Sequence, residues 1–199
     1  MPSFFPSVVI GYHGCDQKVG EAVLAGKKKL RSSTNAWDWL GHGTYFWENN
    51  PSRALKYAKD LKKHPSRSIH RIKTPFVIGA IIDLGNCLNL LESEHLDYVK
   101  LGYSILKISC KIDGKPLPEN RPLKNETDLI IRNLDCAVIQ ALHNYHENVA
   151  KKTKYDSVRG MFVEGKSLYK NAGFNEKNHI QICVRNPDSI KAFFRIPQV

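Results

Sequence analysis

Residues 76–84, FVIGAIIDL, are almost continuously apolar. A β-branched run of that length predicts a strand buried on both faces, near the centre of a sheet that helices must cover. The other apolar segments fit that demand. Residues 8–12, 45–48, 157–163, 179–184 and 192–196 read as further strands. Residues 17–25 read as a helix capped by Asp16 and stopped by Gly26. Residues 52–63 read as a second helix, with Ala54, Leu55 and Ala58 inward and Lys56, Lys59, Lys62 and Lys63 outward.

Residues 86–150 interrupt this pattern. A helical spacing runs from about Ser93 to Ile108, three prolines mark a loop over 113–125, and Thr127 or Asp128 can start a helix carrying Leu129, Ile130, Leu134, Ala137, Val138 and Leu142. The segment reads as a mostly helical insertion in a single domain of 199 residues, a length that buries a real core.

The net charge is +11 and the pI about 9.4. That balance suits a polyanionic partner, nucleic acid first, or equally a solvated basic surface. Basic residues gather at Lys27-Lys28-Lys29 and Arg31, between Lys56 and Lys73, and at Lys151, Lys152 and Lys154. The five cysteines, Cys15, Cys87, Cys110, Cys136 and Cys183, are scattered and odd in number, which argues against a disulfide framework or a zinc knuckle. No apolar run is long enough to span a bilayer, and the N-terminus lacks a basic region and a cleavage site. These features predict a cytoplasmic protein with free thiols and no membrane partner.

Three separated segments carry the chemical signal: Tyr12-His13-Gly14 ending the first strand, Gly41-His42-Gly43-Thr44-Tyr45-Phe46 leading into the second helix, and His179-Ile180-Gln181-Ile182 near the C-terminus. Their order resembles the ADP-ribosyltransferases of the diphtheria-toxin and poly(ADP-ribose) polymerase type, in an uncharacterised bacterial branch. The resemblance covers residues 8–85 and 155–199. It implies an α+β fold: a split, mostly antiparallel sheet of about six strands with flanking helices, interrupted by the helical insertion.

The resemblance further implies NAD as co-substrate. Breaking the bond between nicotinamide and ribose builds positive charge on the ribose, so a site must grip the nicotinamide and stabilise that charge. By resemblance His13 would bond the adenosine ribose and the Gly14 backbone the nicotinamide carboxamide. Tyr45 and Tyr57 would stack on the nicotinamide ring; a half-buried helix residue is the alternative for Tyr57. Ser52 lies one residue off the spacing of a family serine.

Gln181 stands where active members of the family carry glutamate. Its amide can accept a bond from a ribose hydroxyl but brings no charge and cannot act as a base. Either another carboxylate supplies the charge, with Glu176 on the preceding loop and Glu164 in Phe162-Val163-Glu164-Gly165 as candidates, or the protein is a silent module that binds NAD, ADP-ribose or nucleic acid. The expected activity is transfer of ADP-ribose to a macromolecule, with RNA or single-stranded DNA preferred over protein because of the charge. Resemblance also suggests a toxin or phage-defence effector held by an inhibitory partner protein. Cys15, next to His13-Gly14, reads as a packed thiol. The histidines lack metal-ligand spacing. There is no P-loop and no Rossmann glycine pattern, which excludes hydride transfer as the use of NAD.

Overall fold

The computed structural model describes residues 7–67, 71–123 and 128–197. The chain opens with β1 (Val8–Asp16) and α1 (Gln17–Leu24), whose cap is Asp16 accepting from the Lys18 N–H. It continues through β2 (Thr44–Glu48), α2 (Pro51–Lys63) and β3 (Pro75–Asp83). Asn50 caps α2 by accepting from the Arg53 N–H, and Pro51 takes the first helical position, where a missing N–H costs nothing. Next come β4 (Cys87–Asn89), α3 (Ser93–Ile112), β5 (Asn120–Arg121), β6 (Ile131–Arg132) and α4 (Asn133–Asn144). β7 (Ser157–Phe162), β8 (His179–Val184) and β9 (Ile190–Arg195) complete the elements.

Seven strands make one sheet in the order β4-β7-β8-β2-β1-β3-β9. All pairs are antiparallel except β4 with β7, so the fold is α+β as expected. Two details differ from the sequence reading. β4 is a seventh strand, contributed by the start of the insertion, and at three residues it is too short to show a period of its own. β3 lies beside the edge strand β9 rather than at the centre, and is buried on both faces because α1 and α2 cover opposite sides of it.

The sheet is joined through its middle at one narrow point. β1 pairs with β3 from Val8↔Asp83 to Asp16↔Pro75. Its pairing with β2 is confined to Gly11↔Glu48 and Tyr12↔Trp47. Beyond Tyr12 the two strands part, and His13 reaches across the gap, Nδ1 donating to the Tyr45 carbonyl oxygen at 2.8 Å. This opening is the split that the sequence reading expects.

Side-chain alternation sorts the two faces. Phe46, Ile82 and Ile182, all fully buried, pack on the face that also holds His13, whose ring lies 5.7 Å from that of Phe46. Burying a side chain such as Phe46 is worth about 2–3 kcal/mol. Across this face Glu48 accepts from Arg159 Nε at 2.6 Å and Nη2 at 2.8 Å, a forked pair tying β2 to β7 over the intervening β8. On the other face lie Tyr12, Gly14, Trp47 and the buried Ala54 and Ala58 of α2. α2 comes so close that a Cβ on Gly14 would stand 2.2 Å from the Ala54 carbonyl oxygen.

The insertion is mostly helical, but its second helix starts later than expected. Ile131 and Arg132 pair with Asn120 and Arg121 as a two-stranded ribbon, and α4 begins at Asn133. Ile130 is held out of the helix because its carbonyl accepts from Trp39 Nε1 at 2.9 Å. Of the two expected caps, Thr127 lies outside the described residues. α3 packs on α4 at Gly102, where a Cβ would sit 2.9 Å from the Val138 carbonyl oxygen.

α4 also buries His143, both of whose ring nitrogens are without a hydrogen-bond partner among the described residues. Burial, reinforced by the nearby charges of Arg185, His146 and His42, pushes its pKa down to about 3. The unfolded chain therefore takes up a proton near pH 6.5 that the folded chain refuses. Stability is full above that value and declines as the pH falls towards 3. At pH 5 this one group is expected to remove about 2 kcal/mol. Urea titrations from pH 7.5 downward should show the decline, and His143→Leu should flatten it without loss at neutral pH, since it deletes two unpaired polar atoms.

Candidate functional site

The face carrying Trp47 brings together residues from β2, β8, β7 and α2. The register places Trp47 beside Gln181 and Tyr45 beside Cys183, and sets Gly160 of β7 against Gln181 on its other flank. Leu40 packs over Gly160. α2 overhangs the strip from the opposite side. Its Tyr57, 39% exposed, leans on the Trp47 ring at 4.9 Å, and its Arg53 guanidinium lies 5.7 Å from the same ring.

Glu164, just past β7, is buried within this strip. Arg53 Nη2 reaches one of its oxygens at 2.7 Å, Lys177 Nζ the other at 3.4 Å, and His179 Nδ1 stands 3.8 Å away. Cations on two sides are what makes a buried carboxylate affordable there. His179 donates from Nδ1 to the Lys177 carbonyl oxygen, and burial lowers its pKa, so the ring is neutral at pH 7. Three buried polar atoms along the strip, Trp47 Nε1, Arg53 Nε and His179 Nε2, have no hydrogen-bond partner among the described residues. Native interiors seldom leave such groups unmet.

The sequence-derived candidates separate into two groups. Gln181, Glu164, Tyr57, Tyr45 and the Gly14 backbone share this face. Tyr45 is held by its hydroxyl, which donates to the Gly41 carbonyl at 2.6 Å and accepts from the Leu40 N–H at 2.9 Å. Burial raises its pKa well above the usual tyrosine value, keeping it a neutral donor. Tyr57 meets Trp47 with its ring tilted by 48°, so the two tyrosines occupy neighbouring patches. His13 turns its ring to the opposite face, beside Phe46. Burial lowers its pKa, the bond to Tyr45 fixes its proton on Nδ1, and Nε2 is left as an acceptor at the mouth of the split. Glu176 is exposed on the loop between β7 and β8, its N–H bonded to the Lys166 carbonyl.

Sequence reasoning passed over Trp47, Arg53 and Asp38. Arg53 sits one turn before Tyr57 on the inner side of α2, and Trp47 two residues after Tyr45, so strand and helix periodicity place both on this face. Asp38, between Trp37 and Trp39, is buried, and burial raises its pKa against the hydrogen bonds from Ser33 and Asn35. It fixes the turn that presents Trp39 and Leu40. Ser52 has no structural feature that sets it apart. Cys15 is buried and its thiol is pushed up to about 12, which makes it an unreactive packed group.

A cavity of about 460 Å³ lies beside the strip, between α3 and α4. It shares the wall formed by Trp39 and Phe162, but none of the sequence-derived candidates lines it. Arg132 covers that wall, its guanidinium 4.1 Å from the Trp39 ring and 4.9 Å from that of Phe162. The chemistry-bearing groups lie on the strip, which is therefore the candidate site. Among the described residues no group of three His, Cys, Asp or Glu is placed to hold a metal ion, and no helix is long and apolar enough to cross a membrane. Comparison with protein-family models, curated proteins and solved structures finds no match to this chain.

Proposed function

We propose that the protein transfers ADP-ribose from NAD to a macromolecule, with a nucleic acid as the preferred acceptor. The observation that carries this reading is the meeting, at a split sheet, of three segments remote in sequence: His13-Gly14 at the mouth of the split, Tyr45 and Trp47 on β2, and Gln181 on β8. Bound there, NAD would supply the ribosyl bond that breaks.

The chain's own residues divide the work. In this reading the Gly14 backbone takes the carboxamide, and Tyr57, exposed beside Trp47, gives an aromatic wall worth about 0.5–1.5 kcal/mol per ring contact. Gln181 accepts a bond from a ribose hydroxyl on its own face, and His13, whose ring lies on the other face, would meet the adenosine ribose only across the split. Glu164 is the carboxylate nearest Gln181 in the strip and offers the negative charge that Gln181 lacks, moderated by Arg53 and Lys177. Glu176, exposed on the adjoining loop, would meet the acceptor in this reading. The exposed Lys56, Lys59, Lys62 and Lys63 form the outer surface of the helix that carries Arg53 and Tyr57, next to a basic recess of Lys62, Arg71 and Lys73. Such a face suits a phosphate backbone. Cytoplasmic action and control by an inhibitory protein belong to the same reading.

The test is nicotinamide release from labelled NAD, with total RNA, denatured DNA and protein lysate offered in turn. Release that requires one acceptor and is lost in His13→Ala and Tyr45→Ala is the expected result. Acceptor affinity that stays flat between low and physiological salt would remove nucleic acid. A second reading is favoured by Gln181 itself and by the neutralisation of Glu164: a module that binds NAD without turnover. It predicts binding with no release, and Gln181→Glu as the substitution that creates activity.

A further inference from the structure

α3 carries two apolar stripes, and the fold uses one. His95, Val99, Gly102, Leu106 and Cys110 fall on one side of the helix, where Gly102 lies against α4. That contact fixes the helix's rotation. About a third of a turn away run Tyr98, Leu101, Ile105, Ile108 and Ile112, spaced three and four residues apart in alternation. Tyr98 is 40% exposed, Leu101 41%, Ile108 61% and Ile112 79%. The spacing is that of heptad positions a and d, the seam by which one helix packs along another. A globular domain that needed only to bury α3 against α4 would carry polar residues there.

The charges on the same helix point to the occupant. Glu94 and Asp97 lie in its first half, Lys107 and Lys111 in its second. Asp97 and Lys111 each immediately precede an a position, Tyr98 and Ile112, so both occupy g positions. In an antiparallel pair of identical helices g faces g. A two-fold axis near Ser104 then sets Tyr98 against the partner's Ile108, Leu101 against the partner's Ile105, and Asp97 beside the partner's Lys111. The four central layers are apolar, the outer two set Ile112 against the partner's Glu94 at the helix ends, and both Asp97–Lys111 pairs are of opposite sign. A parallel pair would instead set g against e of the partner's next heptad, Asp97 against Gly102, and would leave Asp97 and Lys111 without an opposite charge.

We propose that the exposed stripe of α3 is an interface with a second copy of this chain, the two α3 helices running antiparallel. The surface is isologous, so it closes as a dimer rather than growing. The charged pairs are exposed and set orientation, while the apolar seam holds the copies together. Lys100 holds Asp97 at 2.8 Å within one chain, an exposed i,i+3 pair that contributes little on its own and that the partner's Lys111 can join.

Sedimentation equilibrium of the full chain over a wide concentration range tests this. A monomer–dimer equilibrium is expected. Leu101→Glu with Ile108→Glu should raise the dissociation constant by about a hundredfold or more while the helical circular dichroism is kept. Asp97→Lys should weaken the dimer about tenfold, and adding Lys111→Asp should restore it. A chain that is monomeric throughout the range overturns the proposal. So does a dimer indifferent to the Glu variants, and so does a charge reversal that fails to rescue, since it would leave the antiparallel pairing without support.

Discussion

Gly14→Ala is expected to cost about 3 kcal/mol or more, and so to lower the melting temperature by about 6–12 °C. The new methyl group would stand 2.2 Å from the Ala54 carbonyl oxygen. That atom belongs to helix backbone and cannot rotate aside, so α2 must move as a body. Movement of α2 carries Arg53 and Tyr57 with it, and the strip loses the wall that faces Gln181. The loss of stability should therefore come with a larger loss of any NAD binding. Gly26→Ala is the control. Its φ of +69° makes alanine unfavourable, but nothing lies within 4 Å, and about 1 kcal/mol is the expected cost, with the site untouched. Thermal melts of the two variants should differ clearly; equal shifts would show that α2 does not press on β1 as described.

Arg53→Ala is expected to cost about 3–5 kcal/mol, because it strands Glu164 in a buried place. Both side chains are nearly closed to solvent, 11% and 7% exposed, so screening does little to soften the loss. Lys177 at 3.4 Å supplies partial relief and places the expectation at the lower end of that range. Glu164→Gln leaves Arg53 uncompensated and should be similarly costly. The informative variant is the double one, Arg53→Met with Glu164→Leu. Apolar replacement of both partners should recover most of the stability, since the pair's attraction largely offsets its desolvation. Nicotinamide release should not recover with it if Glu164 supplies charge to the reaction. A folded double variant with full activity would remove Glu164 from the chemistry and leave it as a structural ion pair.

The parts of the fold that could be read from sequence are those dominated by local signals. β8 runs over the expected residues His179–Val184, and α2 ends at Lys63 as its pattern implies. α4 was misplaced at its start because Leu129 and Ile130 satisfy helical spacing. Nothing local reveals that Trp39, 91 residues earlier, takes the Ile130 carbonyl. The site shows the same limit. Its three segments could be singled out, but the Arg53–Glu164 pair spans 111 residues and has no motif. The burial of Glu164 was legible as a problem needing a partner, without the partner's identity. His13 shows the opposite limit: its position on the strand is clear, while the face it shares with Phe46 rather than Trp47 follows from the register of β1 on β2, which no local signal gives.

The strand order also sets a schedule for assembly. β8, residues 179–184, lies between β7 and β2, and β9, residues 190–195, closes the edge beside β3. During synthesis on the ribosome, β1, β2 and β3 emerge early, yet β2 has no partner on its far side until β8 follows. The long sequence separation between paired strands slows such closure. Gln181 enters the strip only with β8, after Trp47, Arg53 and Glu164 have already left the ribosome. The nascent chain consequently carries no formed site for most of its synthesis, and whatever the strip does begins only once translation has passed β8.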